Sequence, residues 1–106
     1  VLRACLDLLA VKHIWRMRVN TGAVAMSGPQ QKPRFVRFGR KGCADILADI
    51  PGRSPSSFVW VECKSPGKKQ SVDQVAFQVA VEQAKQRYLL VSDVDTLAEW
   101  LKSRGL

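Results

Sequence analysis

The stretch Phe58-Val59-Trp60-Val61-Glu62-Cys63-Lys64 decides the fold. Its first four residues are β-branched or aromatic, Ser and Pro residues precede it, and Ser65, Pro66 and Gly67 follow it, so it reads as a strand. The strand is apolar on both alternating faces until its last residues, which predicts a central position with cover on both sides. Alternation also places Glu62 and Lys64 on one face and Cys63 on the other. Charges at the end of a buried strand call for a chemical explanation, because carboxylates and ammonium groups are seldom buried unless paired.

Downstream, 71–84 reads as a helix. Ser71 and Gln74 match a capping box, and Val72, Val75, Ala76, Val79 and Ala80 follow a 3.6-residue period. A strand over 87–91 and a helix over 93–103 follow, the latter turning Val94, Leu97, Ala98 and Leu101 to the core. Upstream, 45–50 and 35–38 read as strands separated by a turn at Gly39 and Gly42, and 21–33 reads as a loop with Gly22, Gly28 and Pro29. Residues 14–20 alternate, with Trp15, Met17 and Val19 on one side and Arg16, Arg18 and Asn20 on the other, which predicts a half-buried strand with a basic face. The chain opens in an amphipathic helix carrying Leu2, Cys5, Leu6 and Leu9 on one face. The order αββββαβα, with early strands in a meander and a last strand joined through a crossover helix, predicts an α/β or α+β mixed sheet flanked by helices. At 106 residues and 46% hydrophobic, the chain suits one domain, 1–106.

Seventeen Lys and Arg against nine Asp and Glu give a net charge of +8. Such a field attracts polyanions, nucleic acid first among them. The basic residues also cluster, with Arg34, Arg37, Arg40 and Lys41 in one group and Lys64, Lys68 and Lys69 in another. Three cysteines without paired spacing and a single histidine, His13, give neither a disulfide framework nor a zinc cage. No apolar stretch approaches the length of a membrane span, and no signal peptide opens the chain, so a cytoplasmic protein without membrane contact is expected.

If the Asp45 strand neighbours the Glu62 strand, two carboxylates and an ammonium meet at one spot. Paired carboxylates are the donor set of a hard divalent cation such as Mg²⁺. Phosphodiester cleavage needs a positioned water and stabilised phosphate charge, which such a cation and Lys64 can supply together. Taken alone a Glu-x-Lys is common, and its plain alternative is a surface ion pair of little energetic weight. Arg16 and Arg18 suit phosphate contacts, as do Lys68 and Lys69 beside Gly67. His13 reads as a surface or core-edge residue, and Trp15, Trp60 and Trp100 read as core aromatics rather than base-stacking platforms.

Gly42-Cys43-Ala44-Asp45-Ile46, then Val61-Glu62-Cys63-Lys64-Ser65-Pro66-Gly67-Lys68, then 71–74, together resemble the VRR-NUC nucleases, a branch of the PD-(D/E)XK superfamily. Arg18, Asn20, Thr21 and Gly22 and the final strand and helix extend the resemblance over nearly the whole chain. It implies a restriction-endonuclease-like αβββαβ core with a C-terminal helix. It further implies a metal held by Asp45, Glu62 and the backbone carbonyl of Cys63, a catalytic Lys64, and Gln74 beside the metal and the scissile phosphate. The expected activity is Mg²⁺- or Mn²⁺-dependent DNA hydrolysis leaving 5′-phosphate and 3′-hydroxyl ends. Resemblance to minimal phage or bacterial members suggests branched DNA such as Holliday junctions, and a two-fold junction calls for a homodimer. The family's first helix usually carries a glutamate near the site, whereas here Asp7 is the only acid over 1–10. The alternatives are a non-cutting nucleic-acid-binding module and a sequence-specific restriction-type enzyme.

Overall fold

The structure, a computed structural model, describes residues 1–19, 22–26, 34–38, 41–51 and 58–106. Helix α1 (Leu2–Val11) leads into β1 (Trp15–Arg18), β2 (Gly22–Met26), β3 (Arg34–Phe38), β4 (Ile46–Asp49) and β5 (Phe58–Cys63). Helix α2 (Val72–Gln83) crosses to β6 (Arg87–Val91), and α3 (Val94–Lys102) follows. Four strands form one mixed sheet in the order β1-β4-β5-β6, with β5 and β6 parallel and the other pairs antiparallel. The mixed α/β architecture with a C-terminal helix is therefore as expected, and the 58–64 stretch is central.

Residues of alternating register build a layer on each face of the sheet. Ile46 and Ala48 of β4 and Val59 and Val61 of β5 are buried with Cys5 and Leu9 of α1 and Leu97 and Leu101 of α3. The opposite face carries Trp60 and Tyr88, packed with Phe77 and Val81 of α2 and with Ala44. Phe77 makes an edge contact with Trp60 at 5.1 Å between ring centroids and a tilted one with Tyr88 at 6.3 Å. Among the described residues, no helix is long and apolar enough to cross a membrane.

Four expectations need correction. Residues 22–26 form a strand rather than part of a loop, and β3 pairs with that strand, Gly22 opposite Phe38 and Met26 opposite Arg34, rather than joining the meander. Small apolar residues such as Gly-Ala-Val-Ala-Met carry no polar alternation, so only the partner strand discloses them. Second, α2 does not bury its valine stripe. Phe77 and Val81 face the sheet, whereas Val72 is 87% exposed and Val75 and Val79 are also exposed. One aromatic ring buries more apolar area than a valine, and the Phe77 face is also the one that turns Gln74 toward the sheet. Third, the strand over 15–18 is exposed throughout instead of half-buried. Fourth, and for the same reason, Trp15 is not a core residue, being 53% exposed. It lies on the face that α2 covers, but α2 packs against the β6 end and leaves the β1 edge open.

Gly42 sets the approach of the chain to α2. Its φ is +80°, and a Cβ there would lie 2.2 Å from the backbone oxygen of Asp73. Left-handed backbone disfavours a side chain, and a backbone oxygen in a helix start cannot give way. Gly42→Ala is expected to destabilise the fold by more than about 2 kcal/mol. Urea denaturation checks this, and an unchanged midpoint would show that 42–44 is not pressed onto α2.

Candidate functional site

Ile46 lies opposite Val61 in the antiparallel β4–β5 ladder. One step further along, Asp45 comes opposite Glu62, which is the juxtaposition that the two carboxylates need. Asp45 is held on both sides: its Oδ2 accepts the backbone N–H of Cys63 at 2.8 Å, and its carbonyl accepts the N–H of Val19 at 2.8 Å. Lys64 follows β5 directly, and its N–H donates to the carbonyl of Val91 at 2.9 Å, which prolongs the β5–β6 pairing to the site.

Glu62 is 2% exposed, the single charged residue among the buried described residues. Its Oε1 accepts a hydrogen bond from Gln74 Nε2 at 3.2 Å, while its Oε2 is buried with no hydrogen-bond partner among the described residues. Burial is the main cause that raises its carboxyl from 4.5 to about 7; the negative charge of Asp45 adds to the rise and the Lys64 ammonium opposes it. An orphaned carboxylate oxygen in such a setting lacks the compensation that buried charges normally have.

The capping box at the start of α2 fixes the glutamine. Ser71 Oγ accepts the N–H of Gln74 at 3.2 Å, and Gln74 Oε1 accepts the N–H of Ser71 at 2.8 Å. The same side-chain amide then spends its nitrogen on Glu62. Gln74 thus caps the helix and orients the carboxylate at once, so the two readings of this residue are compatible.

Asp45, Glu62, Lys64 and Gln74 are therefore gathered at one end of the central strands. Cys63 ends β5 at the same place, in register with Val91. Its thiol is pushed far above the ordinary range by burial, with the neighbouring Cys5 thiol and Asp45 adding to the rise, so it is no nucleophile; only its backbone can serve a cation. The donors suit a hard cation: two adjacent carboxylates, one with an unsatisfied buried oxygen, and a backbone carbonyl, with water completing the sphere. Among the described residues, no group of three or more His, Cys, Asp and Glu side chains converges to hold a metal. In particular α1 supplies no carboxylate, since Asp7 pairs with Arg3 at 3.3 Å and the buried α1 residues are Cys5 and Leu9.

The basic residues fall in several places. Lys68 and Lys69 are exposed after the turn that follows Lys64, where Lys68 N–H meets the Ser65 carbonyl at 3.0 Å. Lys41 reaches the start of α2 and pairs with Asp73 at 3.3 Å. Arg16 and Arg18 lie on the edge strand, opposite Ala48 and Ile46. Arg37 sits on β3 opposite Ala23, with its side chain outside the described residues, and Arg40 lies wholly outside them.

Two polar residues near the site escaped the sequence reading. Gln70 donates to Gln78 Oε1 and to the Tyr88 hydroxyl, each at 3.0 Å, and so fastens the lysine-bearing turn to α2 and β6. The Tyr88 hydroxyl is raised to about 12 by burial and by the nearby Glu62 charge. Their only sequence signal is position: Gln70 immediately precedes the capping box, and Tyr88 lies in the strand parallel to β5. Compared with family models, with curated proteins and with solved structures, the chain gives no match.

Proposed function

We propose that this chain is a Mg²⁺-dependent endodeoxyribonuclease, Mn²⁺ being a possible substitute, that hydrolyses phosphodiester bonds and prefers branched DNA, as its VRR-NUC-like motifs suggest. The observation that carries this reading is the buried Glu62 with its unpartnered oxygen, set beside Asp45 and followed by Lys64 in a chain of net charge +8. A cation would be held by Asp45, Glu62 and the Cys63 carbonyl. When bound, it supplies Lewis-acid stabilisation of the phosphate and eases ionisation of a water. Lys64 holds the attacking water and offsets charge growing on the phosphoryl oxygens. The water oxygen bonds to phosphorus, the bond from phosphorus to the 3′ oxygen breaks, and that oxygen leaves as a hydroxyl. Gln74 holds Glu62 through Oε1 and leaves Oε2 available to a cation. Lys68, Lys69, Arg16, Arg18, Arg37, Arg40 and Lys41 are the proposed DNA contacts, with the cytoplasm of a bacterium or phage-infected cell as the setting.

Incubation with junction, flap, single-stranded and linear duplex DNA, in Mg²⁺, Mn²⁺ or EDTA, tests activity, metal need and substrate shape together. Cleavage of junction or flap in Mg²⁺ and none in EDTA is expected; no cleavage of any substrate sinks the reading. Discrete fragments from linear duplex would instead point to a restriction-type enzyme. The absence of a carboxylate facing the site from α1, among the described residues, favours one second reading, a binding module that holds DNA without cutting it.

Resolving a two-fold junction takes two nicks, and one chain carries one site, so a homodimer completes the proposal. The outward stripe Val72, Val75 and Val79 on α2 supports it. α2 contains no Lys or Arg and includes Asp73 and Glu82, so this face suits a second copy better than DNA. An antiparallel pairing of two such helices sets Val72 of each against Val79 of the other. Sedimentation is expected to give a dimer at micromolar concentration and a monomer for Val75→Asp/Val79→Asp. A wild-type monomer with and without junction DNA removes the dimer.

A further inference from the structure

The edge strand β1 carries features that hydrolysis at Asp45 and Glu62 does not use. Val19 donates its N–H to the Asp45 carbonyl, which makes these two a hydrogen-bonded pair at the end of the β1–β4 ladder. Such pairs alternate along an antiparallel ladder. Met17 opposite Leu47 and Trp15 opposite Asp49 therefore turn their backbone groups to β4, whereas Arg16 and Arg18 turn theirs outward. Strand β1 ends the sheet order and is exposed throughout, so these outward N–H and C=O groups meet no further strand of that sheet.

The two faces of this edge differ in chemistry. Alternation puts Trp15 and Met17 on the α2 face but beyond the reach of α2, at 53% and 47% exposed. Trp15 meets the exposed Phe58 edge-on at 6.1 Å between ring centroids, which fixes the indole plane and leaves an apolar shelf beside the open edge. Arg16 and Arg18 lie on the opposite face, with α1, where they line an open cleft of about 550 Å³ together with Arg3 and Asp7. Arg3 and Asp7 pair with each other at 3.3 Å, and Arg16 Nη1 donates to the Ile14 carbonyl at 3.4 Å. Arg18 makes no ion pair or hydrogen bond through its side chain among the described residues. Guanidinium groups thus outnumber carboxylates in this cleft.

An open strand edge is completed by another strand, whose main chain supplies the hydrogen bonds and whose alternating side chains supply the selectivity. Charge decides which strand fits. A second β1, related by a two-fold axis at Met17, would set Arg16 against Arg18 of the other copy, and like charges directly opposite each other disfavour pairing. A strand with acidic residues opposite Arg16 and Arg18 gains two cross-strand ion pairs instead, and its intervening apolar residues lie beside Trp15 and Met17. Asp49, level with Trp15 on the apolar face, then meets no acidic side chain of that strand. A phosphate would also suit the guanidinium groups, but a nucleic-acid strand has no repeating amide and carbonyl groups to complete the edge.

We infer that the free edge of β1 docks an extended acidic segment of a partner protein, paired antiparallel to β1 and alternating acidic with apolar residues. The acidic side chains enter the α1–β1 cleft at Arg16 and Arg18, and the apolar ones rest on the Trp15 and Met17 shelf. This goes beyond the nuclease reading, with which it shares only Arg16 and Arg18.

The probe is a fluorescent peptide of about eight residues alternating Glu and Val, long enough to span β1 with residues to spare, measured by anisotropy in EDTA. Arg16→Glu/Arg18→Glu is expected to weaken its binding about tenfold and to take up the corresponding Lys and Val peptide in its place. That exchange of preference also shows the variant to be folded. N-methylation separates edge pairing from charge attraction. Methyl groups on the Glu nitrogens, which face Arg16 and Arg18, should lower affinity by more than about tenfold; on the Val nitrogens, which face away, by less than about threefold. In hydrogen exchange, the Arg16 and Arg18 amides should exchange faster than the Met17 amide in the free protein, and slow about tenfold or more when the peptide is bound. Equal loss on methylating Glu and Val, undiminished binding by Arg16→Glu/Arg18→Glu, or unchanged exchange at Arg16 and Arg18 overturns the inference. So does failure of the wild type to bind the Glu and Val peptide; if Arg16→Glu/Arg18→Glu then weakens duplex DNA binding, the edge serves nucleic acid.

Discussion

Lys64→Ala is expected to lower DNA cleavage about a thousandfold while leaving DNA binding close to that of wild type. The position of Lys64 is set by backbone, its N–H donating to the Val91 carbonyl at 2.9 Å, so removing the side chain leaves the strand pairing intact. It removes one of seventeen basic residues, too few to abolish attraction to a polyanion. What it does remove is the ammonium on the Glu62 face of β5, whose proximity is felt as a pull on the Glu62 proton. A second effect follows from that pull. Without Lys64 the Glu62 carboxyl holds its proton more tightly, so residual cleavage should need more Mg²⁺ or higher pH than wild type. Gel assays of single-turnover cleavage across Mg²⁺ concentrations, beside anisotropy in EDTA, separate these effects. If wild type and Lys64→Ala cut equally, Lys64 has no part in the chemistry; if neither cuts and both bind, the protein is a binding module.

The site could be read from the sequence to the extent that its geometry is local. Glu62 and Lys64 share a face because strands alternate, and the run from Phe58 to Val61 could hardly be anything but a buried strand. The capping box needed only Ser71 and Gln74. Asp45 was within reach because β4 is the nearest strand before β5 and the two pair antiparallel. The losses came from non-local choices. β3 could have extended the meander, but pairs with Gly22–Met26, a partner without periodicity of its own. In α2, counting valines pointed to the wrong side, because Phe77 finds Trp60 and Tyr88, two aromatics distant in sequence. Trp15 looked like a core residue until the sheet order placed it on an edge that α2 does not reach. The contribution of Tyr88 and Gln70 likewise depends on the parallel β5–β6 crossover, which no residue spacing announces.

In EDTA, the folded protein is expected to lose about 3 kcal/mol of stability as pH rises from 4.5 to about 7, and Mg²⁺ to return much of it above pH 7. Glu62 titrates near 4.5 when the chain is unfolded and near 7 when burial and Asp45 oppose its charge. Below 4.5 it is protonated in both states and costs nothing. Between the two values the unfolded chain releases the proton and the folded chain retains it, so each rise in pH favours unfolding. Above 7 it is ionised in both, and the folded state bears the whole penalty of a buried charge with an unpartnered oxygen. Asp93 acts in the opposite sense but elsewhere. Its carboxyl is lowered by hydrogen bonds from the Thr96 backbone and hydroxyl, so its stabilising effect is present above 3.8 and lost only as pH falls through the lowered value. Glu62→Gln should therefore flatten the decline between 4.5 and 7, make the protein more stable than wild type at pH 8 in EDTA, and abolish stabilisation by Mg²⁺, since a ligand stabilises only the state that binds it. Urea denaturation of both proteins across this range, with EDTA or Mg²⁺, reads all three effects. Parallel curves for wild type and Glu62→Gln would mean that Glu62 bears no desolvation cost, and a buried carboxylate without strain would no longer mark a cation site.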